Sequence, residues 1–238
     1  MKNMKKKKKQ YLKDVFVVIP FYNEGKILTK VVRELKIFFQ NIICIDDGSE
    51  CDHEIYSKKL NIYLLRHPIN LGQGAAIQTG INFALKKKAK IIISYDADGQ
   101  HSSKDAISMV WHLIKNNLDL VQGSRFLKAT RVKIPIIRKI ILKFAILISN
   151  YFDNTKLTDT HNGLRVFNAK FAKKINIVYN RMAHPHDINK LISKWKFKYN
   201  EFSTKIKYTK YSMKKGQKNL NSINILFDIL ISKLITKI

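Results

Sequence analysis

The sequence predicts an α/β fold: a mostly parallel sheet with helices on both faces, followed by an amphipathic helix at the C-terminus. Two observations predict it. Short β-branched runs alternate at least four times with segments of helical spacing, the pattern that covers both faces of a parallel sheet with helices. Polar turns rich in acids and glycine then follow those runs, at the strand ends where ligands bind in such sheets.

Val15 to Ile19 is the first apolar run, closed by Pro20, and Ile42 to Ile45 repeats the pattern before Asp46-Asp47-Gly48-Ser49. Ile62 to Leu65, Ile91 to Tyr95 and Leu120 to Val121 continue the strand series. Between them, Ile27, Val31, Leu35 and Phe38 share a helical face, as do Ile77, Ile81 and Leu85, and then Ile107, Val110, Trp111 and Ile114. The alternation weakens after Phe126. A region from about 130 to 215 carries TDTHNGLRVF, a helix-like stretch near 184 to 197 and the alternating KYNEFSTKIKYT. From Ile223 to Ile238, apolar residues recur at steps of three and four opposite Asn224, Asp228, Ser232 and Lys233. This amphipathic helix, 216–238, either packs on the domain, lies on a membrane or pairs with a second subunit. The chain therefore divides into a basic tail (1–13), one domain (14–215) and the C-terminal helix.

With 238 residues, 45% of them hydrophobic, the chain is long enough for one sizeable core. Two cysteines, Cys44 and Cys51, are too few for a disulfide scaffold and point to a reducing compartment. The start, MKNMKKKKKQYLKD, is a charge run with no apolar stretch of the kind a secretory signal requires, so a cytoplasmic location is expected. No segment reaches the roughly 20 uninterrupted apolar residues of a membrane-spanning helix. The nearest, IPIIRKIILKFAILISN at 134 to 150, contains Arg138, Lys139 and Lys143 and suits an interfacial or core helix.

Lys and Arg number 45 against 17 Asp and Glu, a formal net charge of +28. Such a field attracts nucleic acid, acidic lipid or phosphorylated substrates. The basic residues are spread along the whole chain, which also fits compositional drift. Aromatic residues lie among apolar runs and form no stacking platform, so no specific nucleic-acid partner is expected. An anionic membrane surface is the preferred macromolecular partner.

The chemistry concentrates at IIISYDADGQHSSKD, residues 91–105. Asp96 and Asp98 would face opposite sides of an extended strand, but Gly99 lets the chain turn so that both approach one cation. Hard divalent ions prefer such ligands, and Mg²⁺ fills its remaining positions with water and substrate phosphates. Acids also initiate turns, and Ser102 or Ser103 is placed to cap the next helix. Asp46 and Asp47 end another strand and suit ribose hydroxyls or a base N–H, or an Asx turn. In NLGQGAAIQTG, Gly72 and Gly74 precede a helix whose first N–H groups could face an anion. His101, His161, His184 and His186 lack the spacing of a zinc site and are expected at helix caps and solvent-facing turns.

The ordered set PFYNE, DDGS, NLGQGAAIQTG, DADGQH, GSR and DTHNGLR resembles family 2 glycosyltransferases of the GT-A (Rossmann-like) fold, over about residues 15 to 215. The resemblance is to the branch of dolichyl-phosphate mannose synthase and its bacterial polyprenyl-phosphate and surface-polysaccharide relatives. It implies that Pro20, Tyr22, Glu24 and Asp47 contact a nucleotide-sugar donor, with Asp46, Gly74 and Asp96 beside them. It implies that Asp96, Asp98 and Gln100 hold Mg²⁺ or Mn²⁺, and that Arg125 contacts a phosphate. Asp159, Gly163 and Arg165 match an element near the acceptor; Asp159 could instead cap a turn and Arg165 pair with it. Asp187 falls where relatives of this type have Glu. The implied reaction is in-line attack on the anomeric carbon with inversion. A lipid phosphate acceptor needs no base, only alignment by Asp98, Arg125 and Arg138 or Arg165, whereas a sugar hydroxyl requires Asp159 or Asp187 as base. The resemblance thus predicts a transferase acting on a polyprenyl phosphate or glycan acceptor; basic charge and amphipathic stretches predict that it is peripheral on the inner face of the membrane, with a homo-oligomer left open. A sugar nucleotidyltransferase, which would release pyrophosphate, is the rival enzyme class.

Overall fold

The computed structural model describes residues 12–50, 59–127, 136–178 and 184–207. The basic tail up to residue 11, Cys51 and the amphipathic segment 216–238 lie outside the described residues. The five expected strands are present as β1 (Val15–Phe21), β2 (Asn41–Asp46), β3 (Tyr63–Arg66), β4 (Ile91–Ser94) and β5 (Leu120–Ser124). Two short strands complete the sheet, β6 (Arg165–Asn168) and β7 (Tyr199–Ser203). The sheet order is β3-β2-β1-β4-β6-β5-β7. Every pairing is parallel except those of β6, which runs antiparallel to both β4 and β5.

Alternate residues of each strand feed two apolar layers, as a period of two requires. Val15, Val17 and Ile19 of β1 join Ile42 and Cys44 of β2 and Ile93 of β4 on one face. There they meet Leu28, Val31 and Leu35 of helix α1 (Gly25–Lys36). Ala106, Met109 and Val110 of α3 (Ser103–Lys115) cover the same face. Phe16 and Val18, Ile43 and Ile45, and Ile92 point the other way. They pack on Ala76, Ile77 and Ile81 of α2 (Gln73–Lys86), Phe171 of α5 (Ala169–Ala172) and Ile188 of α6 (His184–Lys194). Each large aliphatic side chain so buried contributes about 1.5–3 kcal/mol. Both faces are therefore covered, which is why the central strands read as unbroken apolar runs.

The antiparallel strand has a positional consequence. Parallel β1, β2 and β4 all end at one edge of the sheet, and an antiparallel β6 begins there. Arg165, its first residue, stands opposite Ser94, the last residue of β4. The DTHNGLR segment is thereby delivered beside the DADG turn. The remaining helix, α4 (Ile136–Asp153), is the stretch read as interfacial or core; no described helix is long and apolar enough to cross a membrane.

Candidate active site

The loops leaving β1 and β2 are bound to each other. The Asp47 N–H donates to the Phe21 carbonyl at 2.9 Å, and the Asn23 N–H donates to Oγ of Ser49 at 2.9 Å. Asp46, fully buried, accepts the Ser49 N–H at 2.9 Å through Oδ1, while its Oδ2 lies 3.7 Å from Nε of Arg66. Asp47 accepts the N–H groups of Leu71 (3.1 Å) and Gly72 (2.8 Å) and pairs with Nδ1 of His67 at 2.7 Å. The glycine-rich turn before α2 does face an anion with its N–H groups, and that anion is the chain's own Asp47. Pro20 and Gly74 are buried in β1 and in the first turn of α2, whereas Tyr22 is exposed and Glu24 buried at the start of α1.

At the exit of β4 the two acids have different surroundings. Asp96 accepts Nε2 of Gln73 at 3.0 Å on one oxygen and pairs with Nε2 of His101 at 2.9 Å on the other. Burial alone would raise its pKa. The hydrogen bond and charge of His101, with the charges of His184 and Arg165, outweigh burial and hold it below the ordinary value. Asp98 accepts only the Gln100 N–H, at 2.9 Å on Oδ1, so Oδ2 takes no hydrogen bond among the described residues. Burial first, then the negative charge of Asp96, push its pKa up to about 6. Gly99 has φ +72°, a left-handed conformation that side-chain-bearing residues rarely adopt, and it allows the turn after Asp98. The Gln100 carbonyl accepts the Lys207 N–H at 2.9 Å, and the side-chain amide makes no hydrogen bond among the described residues.

A second cluster lies against the first. Arg125, just after β5, grips Asp159 with Nε at 2.6 Å and Nη2 at 2.8 Å, and its N–H adds a third bond at 3.1 Å. Asp159 is fully buried, and although burial would raise its pKa, the guanidinium outweighs that and lowers it. Arg165 is fully buried as well. Its Nε donates to Oε1 of Gln122 at 2.7 Å and Nη2 to the Thr160 carbonyl at 3.1 Å, leaving Nη1 without a hydrogen bond among the described residues. Burial lowers its pKa to about 10, still charged at neutrality. The ion pair of Asp159 is thus made by Arg125, not by Arg165, and it is buried.

Gly163 joins the two clusters. A β-carbon there would stand 2.0 Å from Oδ2 of Asp96, so only glycine lets the DTHNGLR loop close over that carboxylate. Among the described residues, no three His, Cys, Asp or Glu side chains form a closed cation site. One open carboxylate beside a second suits an ion that takes most of its ligands from water and a phosphorylated substrate.

The family model described as Glycosyl transferase family 2 matches residues 16–176, more than half of the chain. The chain belongs to glycosyl transferase family 2. An uncharacterized protein of Methanocaldococcus jannaschii is 34% identical to this glycosyltransferase over 93% of each chain. The UDP-N-acetylglucosamine–dolichyl-phosphate N-acetylglucosaminyltransferase of Methanococcus voltae is 28% identical over 92% of this chain and 96% of its own. The polyprenol monophosphomannose synthase of Mycolicibacterium smegmatis is 25% identical over 68% and 64%. Glucosyl-3-phosphoglycerate synthase from Mycobacterium tuberculosis, crystallised with Mn²⁺, UDP and phosphoglyceric acid, superposes with a TM-score of 0.64 at 15% identity, covering 91% of this chain and 77% of that one. That likeness is one of fold, and the sheet is accordingly a GT-A sheet.

In this family 2 enzyme the fold gathers Glu24, Asp96, Asp98, Asp159, Arg125 and Arg165 at one edge, with the charges of Glu24 and Asp96 both acting on Asp98. Asp187, in the first turn of α6, accepts the Val178 N–H at 2.9 Å. Arg138 lies on α4 and its side chain is outside the described residues. The histidines depart from the sequence expectation. His101 and His184 are buried rather than solvent-facing, and both act on Asp96. His186 pairs with the buried Asp153, and burial pushes His161 down to about 4. Gln73, His101 and His184 come from three separate segments. The one signal in sequence was the position of His101 three residues after Asp98.

Proposed function

We propose that the enzyme is an inverting, cation-assisted glycosyltransferase that moves a sugar from a nucleotide-sugar to the phosphate of a polyprenyl carrier. The observation that carries the acceptor choice is the state of the carboxylates. Asp159 is clamped by Arg125 and held in its ionised form, which makes it a weak proton acceptor. Both oxygens of Glu201 are spent on the N–H and hydroxyl of Thr158. A sugar hydroxyl needs a base, and an ionised phosphate does not.

On this reading the donor rests across the exits of β1, β2 and β4. Tyr22 and Glu24 meet the nucleotide, and Asp46 and Asp47 hold the loops that shape its seat. Asp98, with Asp96 and Gln100 beside it, holds Mg²⁺ or Mn²⁺, which neutralises charge on the departing diphosphate. The donor set fits such an ion, since Oδ2 of Asp98 is open and the flanking groups offer oxygen. The Mn²⁺ complex of the structural neighbour supports the same choice. Arg165 and the plane of Arg125 fixed by Asp159 attract and align the acceptor phosphate. A phosphate oxygen bonds to the anomeric carbon as the bond to the diphosphate oxygen breaks, so configuration inverts and no proton moves. The Methanococcus voltae and Mycolicibacterium smegmatis relatives, whose names contain dolichyl phosphate and polyprenol, support this acceptor. On this reading the enzyme works as a peripheral protein at the membrane's inner face.

The test is a panel of nucleotide-sugars with polyprenyl phosphate, following the lipid by mass spectrometry and its anomeric configuration by NMR. A glycosyl-phosphate lipid of inverted configuration with release of nucleoside diphosphate is expected. Transfer only to sugar hydroxyls, or pyrophosphate release from a nucleoside triphosphate, would refute the assignment.

A further inference from the structure

Helix α4 is inside out over residues 143–153. Ile146, Ser149 and Asp153, at helical steps of three and four, are its buried residues among the described side chains, and two of the three are polar. Oγ of Ser149 donates to Asp153 at 3.0 Å, and Asp153 pairs with His186 of α6. The opposite face carries Phe144 (58% exposed), Leu147 (67%) and Tyr151 (84%), with Phe152 (45%) at its margin. Spacings of three and four put the first three on one stripe. A water-soluble surface has no use for two large aromatic rings and a leucine in one row.

The charge next to the stripe is basic. The only acid of α4, Asp153, is buried and paired, whereas Lys143 on α4 and Lys156 just after it are exposed. The chain as a whole carries +28. An apolar, aromatic row with cations beside it matches an interface between acyl chains and anionic headgroups.

We propose that the Phe144, Leu147 and Tyr151 stripe of α4 is the surface by which the enzyme docks on an anionic bilayer. The choice of occupant rests on the lipid-borne acceptor of the preceding section. The helix is also rigidly joined to the acceptor side of the site. Oδ1 of Asn150 accepts the Thr155 hydroxyl at 2.8 Å and the Leu157 N–H at 3.0 Å, and its Nδ2 donates to the Leu157 carbonyl at 2.7 Å. A helix seated on the headgroups would carry the Thr158 and Asp159 loop with it, holding the site toward a phosphate at the membrane surface.

The experiment is flotation of the full-length protein with vesicles of phosphatidylglycerol and phosphatidylcholine, without donor or acceptor, beside the variant F144S/L147S/Y151S. The wild type should float, and the variant should partition at least about tenfold less while keeping its melting temperature and its turnover of a short, water-soluble prenyl phosphate. Equal flotation of the two proteins overturns the proposal, because basic segments alone would then suffice. A second readout places an environment-sensitive dye on Leu147→Cys in a Cys51→Ser background. Emission typical of water that shifts to the blue on adding vesicles supports docking. Emission already blue without vesicles overturns it, because segment 208–238 or a second copy would then cover the stripe. Since neither readout uses a donor, a negative result leaves the transferase reading intact, and normal flotation without any lipid product would count against the transferase reading alone.

Discussion

At Gly163 a β-carbon would meet Oδ2 of Asp96 at 2.0 Å, far inside any allowed contact. Gly163→Ala should therefore displace that carboxylate, lowering turnover at least tenfold and stability by about 1–3 kcal/mol, read by kcat and by urea unfolding. The Arg125 and Asp159 pair is buried, so removing one partner strands the other. Asp159→Asn should cost about 3–5 kcal/mol, and Arg125→Met combined with Asp159→Leu should cost less than Asp159→Asn alone, both read by urea unfolding. His161 titrates near 6.5 when unfolded and at about 4 in the fold because it is buried. Between those values the unfolded state binds the extra proton, so stability is complete above about 6.5 and declines as pH falls toward 4. Urea unfolding at pH 7 and pH 5 should show a loss in the wild type that is smaller in His161→Gln. At this scale the motif acids and glycines were legible in sequence, because local turn chemistry demands them. Which arginine grips Asp159 was not, since Arg125 and Arg165 are brought to it from different strands. The histidines were misread because charge partners draw them inward: His101 packs on Tyr95 and pairs with Asp96, and His186 pairs with Asp153 of α4.

Among the elements, the strands with strong apolar runs were legible, β7 showed only as the alternating KYNEFSTKIKYT, and β6 did not show. β6 has four residues, RVFN, too few to show a period, yet its antiparallel direction brings Arg165 to the catalytic edge. On α3 the sequence placed Ile107, Trp111 and Ile114 on the inner face with Val110. Val110 is buried and Ile107 and Ile114 pack on the core partly buried, but the fully buried face is Ser103, Ala106, Met109, Val110 and Leu113, because small Ala106 and flexible Met109 fit the close approach to the sheet. Over residues 143–153 α4 defeats hydropathy reading, since Ser149 and Asp153 face inward while Phe144, Leu147 and Tyr151 are exposed. Asn150→Ala should remove its bonds to Thr155 and Leu157, costing about 1–3 kcal/mol. Amide hydrogen exchange across residues 154–160 should then be faster than in the wild type.

For the molecule as a whole, the alternation of strand and helix determines where chemistry can occur: parallel strands from distant segments end together, and their loops must share one edge. That much follows from the sequence pattern alone. The unequal roles of Asp96 and Asp98 do not, because they depend on Gln73, His101 and Gly163 closing on one acid and not the other. The account turns on Asp98 being the acid left to hold a cation beside a nucleoside diphosphate. Electron paramagnetic resonance of free Mn²⁺ measures this directly. With UDP or GDP present, the wild type should withdraw about one Mn²⁺ per chain from solution, and Asp98→Asn should bind it at least tenfold more weakly. Equal uptake by the two proteins, or none by the wild type with any nucleoside diphosphate, would contradict the account.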